Sequence, residues 1–495
     1  MSTSNVLTNI PEKADEETTL VSDASIQAKH LDPDKILKQF GMGRYQLTVF
    51  LLITAPAIIY SANMMGMPFL LEETHDFECR LKGDAKTEFD LVCENSWMRD
   101  HGSSVFLVGC MIASSISVLS DIYGRRLVFI FTMWCNLLFN VFAIFSPTYE
   151  WFLGMRLIAG IAAGGNGMVG SVLSNEMVTP RFREFGPSIT AIFWTLGYYV
   201  AAGTRVTIDH WKWIYFISSI PAIFTIPYIL YIHTAKKANG VKEFDLHKCL
   251  LEQKVKEDDV KPKNPFLFCL SSGRMLFLFV ICCFLAISMN ITYWGLSLNS
   301  TELSKNKIVG FILSGTVEVP AAFVAVLFLR LFPRRIVSLL AFGFTALSMF
   351  GAVMLPHEPF PLLMGLSAKI ANSVVWGCLP LAMNEMIPTP IRNFFGAAVG
   401  LSGDLGGVVA PYLGELNYIH ADFPSLLFAV LGAVSAVLVL ALPETKGIHL
   451  SGDMESFDEG PFLRAIRRSR PTSRDHKQSV IEMKDIESEA SSTQS

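Results

Sequence analysis

The chain has 495 residues, of which 51% are hydrophobic and only 17% are charged, and its formal net charge is −4. Soluble globular proteins carry about 25% charged residues, and a charge this close to neutral does not indicate a nucleic-acid partner. The hydrophobic residues cluster in long uncharged runs. This pattern favours a polytopic membrane protein over a soluble one.

Long apolar runs follow a hydrophilic N-terminal segment. Residues 1–46 are hydrophilic and begin without the apolar segment of a cleavable signal peptide. A run of about 20 apolar residues is needed to cross the hydrocarbon core of a bilayer. Twelve runs meet this requirement and predict an all-α membrane protein with spans at 47–70, 102–120, 127–146, 150–173, 187–205, 212–232, 273–295, 307–329, 336–355, 360–382, 394–416 and 424–442.

The lysine and arginine residues predict the orientation of these spans. With the N terminus in the cytosol, 30 of the 40 basic residues fall on the cytosolic side and eight fall outside. Membrane proteins carry such an excess of positive charge in their cytosolic loops. We therefore expect both termini in the cytosol, together with a linker at 233–272 and a tail at 444–495 that is predicted to be disordered.

The outer loops contain two candidate modification sites. Cys79 and Cys93 share the polar loop 71–101, and an oxidising exterior would permit a disulfide between them. The sequence leaves a disulfide and two free thiols equally open. Asn299 begins an Asn-Ser-Thr sequon in the loop between the seventh and eighth spans, which makes it a candidate for glycosylation.

An internal repeat divides the chain into two parts. The tetrapeptide Asn-Glu-Met-Val at 175–178 recurs as Asn-Glu-Met-Ile at 384–387, and the same offset of 209 residues carries the loop 121–126 onto 330–335. Agreement of two separate loops on one offset indicates duplication. We therefore predict two six-helix halves in parallel orientation, 47–232 and 273–443, with a substrate site between them near the bilayer midplane.

Charged residues near the span ends form a predicted conformational gate. An acid on one helix end and a base on the next can pair in one state and separate in the other, which supplies a two-state element for alternating access. The alternative is that the basic residues only set the topology. The gate candidates are Asp121, Arg125, Arg126, Glu176, Arg183, Glu385 and Arg392, together with Arg156 inside the fourth span.

Several segments resemble a known class of transporter. Residues 117–126 resemble the loop motif of the major facilitator superfamily, 156–164 resemble its RxxxGxxxG pattern, and 443–447 resemble its PETKG sequence. More narrowly, other segments resemble the organic cation, anion and carnitine transporters of solute carrier family 22. These segments lie in the first outer loop, the seventh span and the eighth span, at 88–97, 293–297 and 317–320.

This resemblance covers about residues 40–450 and implies a transporter with the major facilitator fold rather than an enzyme. The chain departs from the family in several places, which identify it as a divergent member. Its first outer loop, 71–101, is short, and Arg330 stands where the second-half loop motif usually has an acid.

Asp404 is the most informative candidate for binding a substrate. Ionisable side chains at the centre of a span cost roughly 2.5–3.5 kcal/mol to insert and are functional candidates by default. Asp404 lies near the middle of the eleventh span among small residues. The resemblance implies a small organic cation as substrate, because cation carriers of the family have an acid here and anion carriers a base. The alternative is an ion pair with Lys369, which lies at a similar depth in the tenth span.

Further candidates line the predicted spans. Glu318 in the eighth span either binds a substrate or proton or forms a helix–helix hydrogen bond beside Pro320. Aromatic side chains attract organic cations through their ring faces, although packing is the alternative role for each of them. The aromatic candidates are Trp194, Tyr198, Tyr293 and Trp376.

The sequence predicts neither an enzyme nor a cofactor-dependent protein. It contains no GxxxxGK[ST] phosphate loop, so we do not expect ATP to drive transport, and its scattered histidines predict no metal site. The predicted function is transport of small organic cations across the plasma membrane by alternating access. The alternatives are a carrier of carnitine-like zwitterions or organic anions, and a non-transporting membrane receptor on the same fold.

Overall fold

The computed structural model shows a helical chain. Within the residues it describes, no β-strand is present. The described residues are 44–67, 97–98, 100–113, 119–120, 122–178, 182, 185–208, 212–220, 226, 273–298, 306–357, 359–420, 422–446 and 460–461.

Each predicted span coincides with one or two helices. In the first half these are α1 (Arg44–Thr54), α2 (Ala57–Met65), α3 (His101–Ile112), α4 (Arg125–Ile144), α5 (Tyr149–Met177), α6 (Gly186–Thr207) and α7 (Lys212–Ser219). In the second half they are α8 (Gly273–Leu298), α9 (Lys307–Thr316), α10 (Glu318–Leu331), α11 (Arg334–Met354), α12 (Phe360–Met386), α13 (Thr389–Val409), the 3₁₀ helix η1 (Ala410–Tyr418) and α14 (Phe423–Val439).

The helices have the length and composition of membrane spans. In the described part of the chain, eight helical segments are long and apolar enough to cross a bilayer. Two shorter apolar helices, α3 and α14, occupy the predicted second and twelfth spans. The prediction of an all-α membrane protein is therefore confirmed.

Two spans are each built from two α-helices, and proline explains only one of these two breaks. Pro56 stands between α1 and α2, where it acts as the N-cap of α2. The eighth span breaks at Val317, three residues before Pro320. Pro320 lies in the first turn of α10, where a backbone N–H has no intrahelical partner, so proline is tolerated there. Pro380 lies inside α12 without ending it.

The helix boundaries repeat the offset found in the sequence. Helices α4 and α11 begin at Arg125 and Arg334, and helices α5 and α12 end at Met177 and Met386. Both pairs of positions are separated by 209 residues. The duplication therefore extends from the loop motifs to the helices that they join.

Glycine allows close packing of helices within each half. A Cβ added to Gly160 of α5 would lie 2.2 Å from the carbonyl oxygen of Phe106 in α3, and one added to Gly406 of α13 would lie 2.6 Å from that of Ile287 in α8. Apolar side chains gain little by leaving lipid, so membrane helices associate through such backbone contact. The glycines of the RxxxGxxxG pattern thus serve the α3–α5 interface.

Three pairs of helices join the halves along a surface that we call the seam. Helix α6 of the first half packs against α9 and α10, and α3 packs against α13. The hydroxyl of Thr195 donates to the carbonyl of Gly315 at 3.0 Å, and that of Ser104 donates to the carbonyl of Val408 at 2.8 Å. The seam brings side chains from both halves to the predicted site.

Candidate functional site

A buried ion pair lies at the seam. Lys369 of α12 approaches Glu318 at the start of α10 with 2.9 Å between Nζ and Oε1, and the two side chains are 2% and 8% exposed. The ammonium group also donates to the hydroxyl of Ser314 at 2.8 Å. Removing two charges from water is costly, so a buried pair persists only when further hydrogen bonds satisfy it.

Two tyrosines supply those further bonds, one from each half. Tyr293 of α8 donates to Glu318, with 2.9 Å between its hydroxyl and Oε1. Tyr198 of α6 accepts from Lys369 at 3.0 Å and donates to Glu318 at 3.4 Å. Because α6 belongs to the first half, Tyr198 connects the two halves through a charged group. We call Tyr198, Tyr293, Ser314, Glu318 and Lys369 the central cluster.

The ion pair suggested between Lys369 and Asp404 is not present, because Lys369 pairs with Glu318. Depth alone allowed either partner, since all three residues lie inside the spans. Helix packing decides between them. Helix α12 packs extensively on α10, whereas α13 lies mainly against α8 and α3. The ammonium group of Lys369 therefore faces the eighth span and not the eleventh.

Asp404 faces the first half. It lies close enough to Tyr60 of α2 and Cys110 of α3 to act on both electrostatically. One turn further along α13, Val408 accepts the hydrogen bond from Ser104 of α3. Among the described residues, none forms an ion pair or hydrogen bond with the Asp404 carboxylate, which is half-buried. The geometry thus leaves a carboxylate at the seam available to a ligand.

A chain of aromatic rings crosses the seam near Asp404. Tyr60 contacts Trp194 with 5.2 Å between ring centroids, and Trp194 contacts Trp294 at 6.2 Å. Tyr293 then lies 5.2 Å from Trp294 and 5.4 Å from Trp376. Rings of this kind attract cations through their faces. Three of the four predicted aromatic residues therefore join one chain, and the fourth, Tyr198, belongs to the central cluster.

Tyr60 and Ser314 are not among the site residues that the sequence predicts. Ser314 stands four residues before Glu318, and this spacing places two side chains on the same helix face. That signal was sufficient to predict Ser314 as a neighbour of the acid. Tyr60 carries a hydroxyl inside the apolar first span, but only tertiary packing shows that it meets the fifth span.

A second charged cluster lies at the helix ends that the basic residues predict to face the cytosol. Glu385 at the end of α12 pairs with Arg334 at the start of α11. Glu444, from the PETKG sequence, accepts the backbone N–H of Arg334 at 2.9 Å and that of Arg335 at 3.1 Å. A carboxylate is stabilised by the positive end of a helix dipole and caps its free N–H groups. The PETKG sequence thus anchors the end of the twelfth span to the ninth.

Two of the predicted gate residues, Glu385 and Arg392, do not pair with each other in this structure. Arg392 lies beyond the turn after α12, and its guanidinium group folds back to donate to the carbonyl of Ile387 at 3.0 Å. Glu385 meets Arg334 instead because α11 begins where α12 ends. Arg156 also differs from a gate residue, since it contacts Asn63, Phe106 and Tyr215, all within the first half.

Several predicted residues cannot be compared with the structure. Asp121, Arg183, Cys79, Cys93 and Asn299 lie outside the described residues, as does the side chain of Glu176. Arg125 and Arg126 begin α4. The gate, the disulfide and the glycosylation site therefore stay predictions.

Comparison with known proteins gives a consistent result. The family model described as Major Facilitator Superfamily matches residues 95–411. The human protein named solute carrier family 22 member 2 is 29% identical, with 78% of this chain and 73% of that protein covered. An organic cation transporter-like protein of Drosophila melanogaster is 27% identical, with 76% and 72% covered.

Solved structures show the same fold. The inward open conformation of the xylose transporter XylE from E. coli superposes with a TM-score of 0.62 at 16% identity, covering 82% of this chain and 98% of that one. At this level of identity the likeness concerns the fold alone.

Proposed function

Because this chain belongs to the Major Facilitator Superfamily, whose members are transporters and not enzymes, we propose that it carries small organic cations across the plasma membrane. The observation that supports this cargo is the unpaired Asp404 carboxylate beside the aromatic chain at the seam. A carboxylate supplies the counter-charge for a cation, and ring faces replace part of its hydration. Two relatives are named for organic cation transport or for the solute carrier family that the motifs resemble.

The proposed mechanism is alternating access around this site. The two halves rock against each other, so that the site opens to one side of the membrane at a time. Pairing of Glu318 with Lys369 keeps those charges satisfied and leaves Asp404 as the net negative group for the substrate. A membrane potential that is negative inside favours inward movement of a cation by roughly 2.3 kcal/mol per charge per 100 mV.

The proposed orientation has both termini in the cytosol, as the distribution of basic residues indicates. It places the cluster of Arg334, Glu385 and Glu444 at the cytosolic surface. The location in the plasma membrane is part of the same proposal.

Uptake of labelled tetraethylammonium into cells expressing the chain tests the cargo. We expect saturable uptake, a fall in accumulation of about tenfold or more when a 100 mV potential is abolished, and loss of uptake in Asp404→Asn. Asp422→Asn is the matched control, because Asp422 lies exposed at the outer end of α14 beside His420. This control should transport normally.

Three outcomes would contradict the proposal. Uptake of an organic anion in place of the cation would overturn the role of Asp404. Uptake of a carnitine-like zwitterion, without uptake of the cation, would replace the proposed class of cargo by the alternative class. Absence of all three activities, despite expression at the cell surface, would favour a non-transporting receptor.

A further inference from the structure

Arg156 is buried in the outer part of the first half. It lies seven residues after the start of α5, about 10 Å along the helix, and its side chain is 0% exposed. Its Nη1 donates to the backbone carbonyl of Asn63 at 3.2 Å. The guanidinium carbon lies 4.4 Å from the ring centroid of Phe106 and 5.4 Å from that of Tyr215. None of these contacts supplies a negative charge.

One edge of the guanidinium group has no partner. The atoms Nε and Nη2 make no hydrogen bond, and among the described residues no carboxylate pairs with Arg156. These two nitrogens share the same side of the planar group, and their N–H bonds point in parallel. Such a fork binds the two oxygens of a carboxylate, or a single small anion, within the guanidinium plane.

A second unfilled donor belongs to Asn63, the residue whose backbone carbonyl accepts the hydrogen bond from Arg156. The Nδ2 group of Asn63 is buried without a hydrogen bond. The other side-chain atom of this amide, Oδ1, accepts from the hydroxyl of Ser218 at 2.5 Å, so the amide is held with its donor unpaired. Buried polar groups are nearly always hydrogen-bonded. Here the unfilled groups of these two residues are donors and one of the two side chains is positively charged, so their chemical complement is an acceptor that carries negative charge.

We propose that the Nε–Nη2 fork of Arg156 and the amide of Asn63 form a binding site for a small monovalent anion, either a carboxylate or a halide. The rings of Phe106 and Tyr215 pack against the guanidinium group without supplying an anionic partner. The site binds a negative charge, whereas the Asp404 carboxylate is proposed to bind a positive one. It also lies within one half of the chain rather than at the seam. It does not depend on the proposed cation transport.

Thermal unfolding of the purified full-length chain tests the site, because a ligand that binds only the folded state raises the unfolding temperature. We expect chloride or acetate, at constant ionic strength, to raise this temperature saturably by about 2 °C or more. The reference salt is gluconate, whose bulk the buried site excludes. Arg156→Lys retains the charge but removes the fork, so it should abolish the shift.

Two further variants keep the test decisive. Arg205→Lys makes the same change near the outer end of α6 and should keep the full shift. Asn63→Ala removes only the amide donor and should raise the concentration of anion for half-maximal effect at least severalfold, which remains measurable if Arg156→Lys does not fold. The inference is overturned if the native chain shows no saturable shift, or if Asn63→Ala and Arg156→Lys respond like the native chain.

The bound anion is either a separate ion or the carboxylate of a zwitterionic cargo. Measurements with glycine betaine and with the Asp404→Asn variant distinguish these two sources. A separate ion predicts that acetate stabilises the native chain and Asp404→Asn equally. A carboxylate belonging to the cargo predicts that glycine betaine stabilises more than acetate, and that either Asp404→Asn or Arg156→Lys removes its effect. Both patterns support the site. Binding is measured without transport, so a failure of cation uptake would leave this result unaffected.

Discussion

At the scale of single residues, the central cluster contains an ion pair between two buried charges. Neither the sequence motifs nor the depth of the two residues in the membrane predicted this pair. Glu318 and Lys369 lie 2.9 Å apart, and three hydroxyl groups complete their hydrogen bonds. The free-energy cost of burying such a pair is largely offset by its contacts, whereas a single remaining charge has no such compensation. The stability of the pair is therefore a property of both residues together.

This coupling predicts the behaviour of single and double variants. Glu318→Gln and Lys369→Met should each lower the free energy of unfolding by about 3–5 kcal/mol, because each leaves one buried charge unpaired. The double variant should lose less than the sum of the two single losses. Thermal unfolding in detergent measures all three. Additive losses in the double variant would show that the two charges are independent.

At the scale of helices, glycine determines which surfaces meet. Gly160 brings α5 against the backbone of α3, while Gly167 on the same helix has no atom within 4 Å of an added Cβ. The two glycines are separated by only two turns and differ only in what lies opposite. Helix propensity alone would favour alanine at both positions.

The two positions provide a matched test. Gly160→Ala should destabilise the chain by about 1–3 kcal/mol, because its methyl group collides with the carbonyl of Phe106. Gly167→Ala should be neutral or should stabilise by up to about 1 kcal/mol. Thermal unfolding of the two purified variants compares them. Equal effects of both substitutions would mean that the close contact of α3 and α5 does not limit stability.

The PETKG sequence also acts at the scale of helices. Glu444 caps α11, and Lys446 donates from Nζ to the carbonyls of Arg330 at 2.6 Å and Phe332 at 3.1 Å. The chain after the twelfth span therefore holds both the end of the eighth span and the start of the ninth. The charges of this sequence match the dipoles of the helix ends that they meet.

At the scale of the whole molecule, contacts between the two halves occur at several positions along the seam. The guanidinium carbon of Arg330 lies 5.1 Å from the ring centroid of Phe185, which joins the end of α10 to the start of α6. Further into the membrane, the hydroxyl of Ser188 donates to the carbonyl of Ala322 at 3.3 Å. Arg330, the residue that departs from the family pattern, thus contributes a contact between halves. Rocking of the halves would have to separate one set of these contacts.

Cross-linking the seam tests whether rocking is required for transport. Cysteines at Ser188 and Ala322, in a background without the native cysteines, should form a cross-link between α6 and α10 that abolishes cation uptake. Reduction should restore uptake, because the cross-link restrains motion without removing the site. Each single-cysteine variant serves as the control. Full uptake by the cross-linked chain would contradict alternating access through this seam.

The sequence by itself determined the number and order of the spans, their duplication at an offset of 209 residues and the charged side chains buried among them. These features follow from local hydropathy, from repetition along the chain and from the free-energy cost of placing charge in lipid. None of them depends on which helices pack against each other. Only the tertiary structure decided that Lys369 meets Glu318 rather than Asp404, and that Glu385 meets Arg334 rather than Arg392. Position along a span predicts depth, but the direction in which a side chain points depends on how each helix is rotated and which helices surround it. That choice is made by packing, through glycine contacts and the seam, and therefore becomes visible only when all the helices are in place.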